Sequence, residues 1–402
     1  MTKGPEWQSK DARAAEFAEA LPKQVARAQG LPGYSEALAD VDAAAITGAE
    51  ALSALPVLRK SALREAQSKR KPLGGLATVE AGGFDYLFQS PGPIYEPGMA
   101  SDDWWRFRPF LNAVGIGAGD IVHNCYAYHL TPAGMMFDCA ARSVGAAVLP
   151  AGTGQTELQA RAAADLGCTV YAGTPDYLKV ILEKADELDL SLAITRAAVS
   201  GGALFPSLRD WYAERGIACL QCYATADLGN IAYESSPESG LIVAEGVIVE
   251  IVTPGTGDPV PEGEVGEVVV TTLNADYPLI RFATGDLSAM LPGASPCGRT
   301  NGRIKGWMGR ADQTAKIKGM FVRPEQVADL VARVGAAKAR VTVTRQGEQD
   351  HMAVAFEADS ADEDRLSTAV REIMKLSGEI SIHPLGSLPK DGKIIDDQRQ
   401  YD

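Results

Sequence analysis

From Asp120 onward, short runs of β-branched and apolar residues alternate with segments whose apolar positions recur at helical spacing. The strands are predicted at Ile121 to Cys125, Ala147 to Pro150, Thr169 to Tyr171, Ala197 to Ser200 and Ala218 to Cys222. Between them, helices are predicted near Ala133 to Val144, Glu157 to Leu166, Asp176 to Leu188 and Pro206 to Arg215. Strands alternating with helices of this length build crossover units on a parallel sheet. Ligands of such sheets bind beyond the carboxyl ends of the strands, where Gly201, Gly202, Ala203 and Tyr223 fall.

The flanking regions have different patterns. Asp11 to Arg70 is Ala-rich and amphipathic, which predicts helices interrupted at Pro22 and at the Gly30 to Gly33 turn. Val247 to Val252 and Glu267 to Thr272 are strongly β-prone, with a turn-rich stretch between them, and predict an antiparallel subdomain. After Gly309 a small α+β pattern takes over. Pro324 suits a first helical turn, and Val327, Leu330, Val331 and Val334 follow with i, i+3, i+4, i+7 spacing. Strands near Arg340 to Thr344, Met352 to Phe356 and Ile380 to His383 surround a second helix burying Leu366, Val370, Ile373 and Met374. The expected organisation is therefore α/β, with a large domain at 1–310 and a small mobile α+β domain at 311–402.

Composition narrows the function classes. The chain has 402 residues, 46% of them hydrophobic, enough for an ample core and two or three domains. No apolar run approaches the ~18 residues of a spanning helix, and Met1 to Gln24 has no apolar signal region. Six scattered cysteines fit free thiols in a reducing compartment, so a cytoplasmic protein is expected. The net charge of −14 opposes nonspecific binding to nucleic acid. It leaves room for a local basic cluster of Arg303, Lys305, Arg310, Lys316 and Lys318. Cys219 and Cys222 lie three apart on a predicted strand, so they face opposite sides and do not chelate together. His123, His129, His351 and His383 have no ligand spacing, and no zinc site is expected. Gly152 to Glu157 lacks a following Gly-Lys-[Ser/Thr] and reads as a strand-to-helix connection.

The segment Tyr277 to Gly319 strings Thr284-Gly285-Asp286, Gly309-Arg310-Ala311-Asp312 and Lys316-Ile317-Lys318-Gly319 into one run, and Pro389-Lys390-Asp391-Gly392-Lys393 follows near the end. With these motifs in this order the chain resembles the adenylate-forming acyl-CoA ligases, on the phenylacetate-CoA ligase branch. The resemblance implies that Asp286 holds the ribose hydroxyls of a nucleotide, that Arg310 meets its phosphate and that Asp312 is a hinge. It further implies that Tyr223 stacks on adenine, with Gly201, Gly202, Ala203 and Thr225 beside it. Lys393 is implied as the catalytic lysine, a flexible point cation suited to charge developing on a carboxylate and an α-phosphate. Tyr126, Tyr128 and His129 occupy the place where the family lines its acyl pocket, and an aromatic wall with one polar group suits an aryl or arylacetyl carboxylate.

The departures from the family pattern fall at its phosphate and metal end. A Ser/Thr/Gly-rich loop ending in Gly-Lys-Pro is replaced by Phe88-Gln89-Ser90-Pro91-Gly92-Pro93-Ile94-Tyr95-Glu96-Pro97, whose three prolines donate no N–H. The family's Tyr-Gly-x-Thr-Glu becomes Tyr223-Ala224-Thr225-Ala226-Asp227, with Asp227 at the position expected near Mg²⁺. The implied activity is ATP-dependent activation of the carboxylate as an acyl-adenylate and its transfer to CoA, with ATP/AMP, CoA and Mg²⁺ as cofactors. A homodimer is compatible with it, and neither nucleic acid nor membrane is an expected partner. Two other readings stay open from the sequence: an ATP-independent acyl-transferring or acyl-adenylate-handling enzyme, and a noncatalytic sensor of nucleotide or acyl-CoA.

Overall fold

The structure is a computed structural model that describes residues 4–399 except 92, 102, 238, 312, 314, 318–319, 347–348, 359–361, 390 and 392. The chain divides into two compact units. One comprises residues 1–249, 270–282 and 291–307, and the other 250–269, 283–290 and 308–402.

In the first unit, parallel strands lie in the order Ala218–Thr225, Arg196–Val199, Val170–Gly173, Ile121–Asn124, Ala147–Pro150. The helices Ala133–Ser143, Thr156–Leu166, Pro175–Glu187 and Pro206–Glu214 connect them, as the alternating pattern predicts. On one side of the sheet Phe107, Phe110, Phe137, Val170 and Ala198 share a core; on the other, Tyr171, Leu178, Val199 and Tyr212 share a second. Each fully buried aliphatic or aromatic side chain of this kind contributes about 1.5–3 kcal/mol. The strand Ala218–Thr225 changes partner along its length. Its first half pairs parallel with Arg196–Val199, and its second half pairs antiparallel with Gly229–Tyr233 after a register shift between Tyr223 and Ala224.

Pro22 does not break the first helix, which runs unbroken over Lys10–Gln29. The carbonyl that Pro22 leaves without a donor belongs to exposed Ala18, where water can satisfy it. Meanwhile Leu21, Val25 and Ala28 are wholly buried, and the Gln24 amide donates to the carbonyls of Thr272 and Asn274. Tertiary packing outweighs the local penalty. Val247–Val252 and Gly266–Thr272 form neighbouring strands, where the β-prone pattern predicts them.

The second unit carries a four-stranded sheet in the order Glu379–His383, Gln349–Glu357, Lys338–Gln346, Ile395–Asp397. Helices Pro324–Val334 and Glu363–Met374 cover it, and Val327, Leu330, Val341, Val354, Phe356, Leu366 and Val370 fill the core between. The final strand, Ile395–Asp397, pairs parallel with Lys338–Gln346 and so fixes the loop that precedes it.

Candidate functional site

The carboxyl ends of three parallel strands in the first unit are tied together by side chains. Tyr126 Oη donates to the carbonyls of Gly173 (2.8 Å) and Ser200 (3.2 Å), and Ser200 Oγ donates to the carbonyl of Cys222 (2.9 Å). Gly201, Gly202 and Ala203 leave the sheet as an exposed turn directly after Ser200, and Tyr223 follows Cys222. The two predicted nucleotide motifs are thus joined through Ser200, a residue that no motif singles out. Gly201 adopts φ +74°, a left-handed conformation suited to glycine. Tyr223 is 9% exposed. Thr225 Oγ1 accepts from the Leu228 N–H (3.2 Å), shaping the tight turn to the next strand.

The predicted acyl-pocket residues occupy three different environments. Tyr126 is buried and stacks on Phe137, with ring centroids 4.4 Å apart. Tyr128 is half-buried, its Oη accepting from the Asn124 amide at 2.7 Å, and His129 is exposed. Tyr126 spends its hydroxyl on backbone carbonyls and acts as a brace between strand ends.

The segment in place of a phosphate loop is a β-hairpin, Tyr86–Ser90 paired antiparallel with Ile94–Gly98. Two of its backbone donors are engaged by side chains: the Ser90 N–H donates to Glu96 Oε2 (3.2 Å), and the Tyr95 N–H donates to Gln67 Oε1 (2.9 Å). Ser90 Oγ also donates to Glu96 Oε1. Glu96 is 1% exposed. Burial first, and then the charge of Asp227, push its carboxyl up to about 7, against hydrogen bonds from Ser90 and the charge of Lys60. Asp227 is buried in the turn after Thr225, and its Oδ2 forms an ion pair with Lys60 Nζ at 2.7 Å. Lys60 opens the helix Lys60–Lys69. It and Glu96 are charged members of the site that the sequence did not reveal, since the pair spans 167 residues and no local spacing announces it.

Asp286 and Arg310 meet in the second unit. Arg310 Nη1 donates to Asp286 Oδ1 at 2.9 Å, and the two residues face each other in an isolated antiparallel bridge. The bridge is extended by the Ala311 N–H to the Gly285 carbonyl (2.8 Å) and the Leu287 N–H to the Gly309 carbonyl (2.9 Å). Gly285 has φ +75°, and a Cβ there would lie 2.9 Å from Arg310 Nη2. The glycine of the Thr-Gly-Asp motif therefore lets the guanidinium lie against the strand. Asp312, the expected hinge, lies outside the described residues.

Lys393 is exposed and its Nζ contacts Asp396 Oδ1 at 2.9 Å. Asp396 also accepts from Arg340 Nη2 (3.0 Å) and from the Gln398 amide (2.8 Å). Burial raises its carboxyl, but the bonds from Lys393, Gln398 and Arg340 outweigh burial and hold it at about 2. The start of the last strand is held by Gln313 Oε1, which accepts from the Ile395 N–H at 2.7 Å. Lys390, Gly392 and Lys318 lie outside the described residues. Arg303, from the expected basic cluster, donates to the carbonyls of Ser239 and Pro292 instead of standing free.

His123 is wholly buried against Gln159 (3.1 Å), and burial pushes its imidazole down to about 4. No group of three or more His, Cys, Asp or Glu side chains suited to a metal occurs among the described residues. No helix among them is long and apolar enough to cross a membrane.

Comparison with known proteins follows the same lines. The family model of AMP-binding enzymes matches residues 110–274. The phenylacetate-coenzyme A ligase of Thermus thermophilus is 29% identical over 344 residues, covering 80% of this chain and 75% of its own length. That of Escherichia coli K12 is 29% identical over 303 residues, covering 70% of this chain and 69% of its own. Among solved structures, 2-hydroxyisobutyryl-CoA ligase in the postadenylation state, in complex with R3-HIB-AMP, shares the fold. Its TM-score is 0.71 at 21% identity, over 98% of this chain and 91% of that one.

Proposed function

We propose that this chain, which matches the model of AMP-binding enzymes over residues 110–274 and is similar to phenylacetate-CoA ligases, is an AMP-forming acid–thiol ligase acting on an aryl or arylacetyl carboxylate. In the first step a carboxylate oxygen attacks the α-phosphorus of ATP, and the bond to the leaving pyrophosphate breaks. In the second, the CoA sulfur attacks the acyl carbon, the thiol proton is lost to solvent, and AMP leaves.

The observation that carries this reading is the Asp286–Arg310 pair, a carboxylate and a guanidinium held together by the two motifs the family uses for ribose and phosphate. Asp286 would accept from ribose hydroxyls, and Arg310, with a side chain 55% exposed, keeps donors to spare for a phosphate. Tyr223 is assigned to the adenine, with Gly201, Gly202, Ala203 and Thr225 around it. Lys393 is assigned to the negative charge that builds on the α-phosphate, and Tyr126, Tyr128 and His129 to the acyl end. Asp312 is kept as the hinge of a mobile domain at 311–402. A magnesium ion does not fit Asp227, whose Oδ2 already faces the Lys60 ammonium, and no step is assigned to one. A cytoplasmic location is in keeping with the two cosubstrates and with six cysteines that are all free.

The test is pyrophosphate exchange into ATP over a panel of aryl carboxylates, followed by thioester formation with CoA. Exchange that depends on one aryl acid, with AMP and thioester formed in equal amounts, is the expected result. Absence of exchange with every acid in a folded, AMP-binding protein would overturn it.

A further inference from the structure

The carboxylate of Asp227 stands where the family pattern leads one to expect a metal ligand, yet its surroundings are built for a different cation. Its side chain is 1% exposed, and Lys60 Nζ lies 2.7 Å from Oδ2. Glu96, also buried, is the nearby acid whose charge Asp227 opposes. Its two oxygens are occupied by the Ser90 N–H and hydroxyl. Hard divalent ions of the Mg²⁺ type need several oxygen ligands in a regular shell and shed water reluctantly. Here one Asp227 oxygen is taken by an ammonium that would repel a dication, and both Glu96 oxygens already accept from Ser90. The hairpin that carries Glu96 stands where the family pattern leads one to expect a loop whose N–H groups face phosphate.

We propose that Lys60 is the resident cation of this site: its ammonium neutralises Asp227 in place of a divalent metal, and the protein binds adenine nucleotide without drawing a metal ion to Asp227. This rests on the ligase reading for the nucleotide but not for the cation. Asp227 Oδ1 is buried with no hydrogen-bond partner among the described residues, so the carboxylate depends on Lys60 for its compensation. A mobile metal could be lost; a tethered ammonium cannot.

The experiment is an electron paramagnetic resonance titration of Mn²⁺ into the full-length protein, with and without AMP. It compares the wild type, Asp227→Asn, Lys60→Met and Lys60→Met/Asp227→Asn. Wild type and Asp227→Asn should leave the same free-Mn²⁺ signal. Lys60→Met should retain Mn²⁺ more tightly, by about tenfold or more on the scale of one removed repulsive charge, and the double variant should return to the wild-type signal. Mn²⁺ retained by the wild type and lost in Asp227→Asn would overturn the proposal, as would a folded Lys60→Met that gains no affinity. If Lys60→Met fails to fold, the wild type and Asp227→Asn decide alone. Absence of pyrophosphate exchange would remove the ligase reading and leave the Mn²⁺ result standing.

Discussion

Two lysine–aspartate pairs of nearly equal length do opposite jobs in this chain. Lys60–Asp227 (2.7 Å) leaves Asp227 1% exposed with one oxygen unpartnered among the described residues. Lys393–Asp396 (2.9 Å) joins a lysine that is 51% exposed to an aspartate that Arg340 and Gln398 also hold. If Lys393 swings away, Asp396 keeps a guanidinium; if Lys60 does, Asp227 keeps nothing charged. An ion pair thus locks a lysine only when the acid has no second partner and no water. Lys393 can leave its aspartate without stranding it, and Lys60 cannot.

The contrast can be broken most directly at Lys60. Replacing it by Met should lower unfolding free energy in urea by about 3–5 kcal/mol, the cost of leaving a buried charge uncompensated. The added change Asp227→Asn should recover most of that loss. A loss under about 1 kcal/mol, the range of an exposed pair, would erase the distinction.

Lys393→Ala is the counterpart. Its stability should stay within about 0.5 kcal/mol of wild type, while pyrophosphate exchange falls by about 10²–10³-fold, the usual cost of removing one group that stabilises transition-state charge. Unchanged exchange in this variant would take Lys393 out of the mechanism.

The buried region also has a pH signature. Burial, and then the charge of Asp227, push the Glu96 carboxyl up to about 7 in the folded protein, above the 4.5 of a solvated carboxyl. Its protonation therefore favours the fold fully below pH 4.5, and that contribution disappears as pH rises through 7. The whole effect is about 3 kcal/mol, from the 1.36 kcal/mol that each unit represents. Glu96→Gln should flatten the stability profile across that window and leave the variant relatively more stable above it, as measured by urea unfolding at a series of pH values.

The smallest effect concerns a partly exposed thiol, Cys297, which lies 3.2 Å from Ser295 Oγ and 3.5 Å from Arg299 Nη1. Burial would raise the thiol, but hydrogen bonding, from Ser295 and Arg299 among others, outweighs it and brings it down to about 6. Alkylation by iodoacetamide should be half-maximal near that pH, and Arg299→Gln should move the midpoint upward without loss of fold. A midpoint in the ordinary thiol range for the wild type would contradict the assignment.

What the sequence discloses follows from the range of the forces involved. The alternation of strands and helices from Ile121 to Thr225 is written in local periodicity, and most element boundaries fall within a residue or two of expectation. Pro22 misleads because its local penalty is settled by distant packing of Leu21, Gln24 and Val25. Motif order singles out Asp286 and Arg310, which the resemblance assigns to a nucleotide, but not that they pair with each other, which requires the bridge across Gly285. Lys60, Glu96, Ser200 and Asp396 are invisible as site residues because each acquires its role from a partner on another element. The proline-rich hairpin is legible only as something absent; that it brings Glu96 toward Asp227 is a fact of three dimensions.

The register shift between Tyr223 and Ala224 sets how this region tolerates change in chain length. Side chains of a strand alternate faces, so one residue lost or gained there would turn Thr225 and all that follows to the opposite side. Tyr223 would keep its place while Asp227 lost Lys60. Substitution is open to this segment, whereas insertion and deletion are closed to it; among descendants of such a chain, the spacing from Tyr223 to Asp227 should outlast the identities of the residues between them.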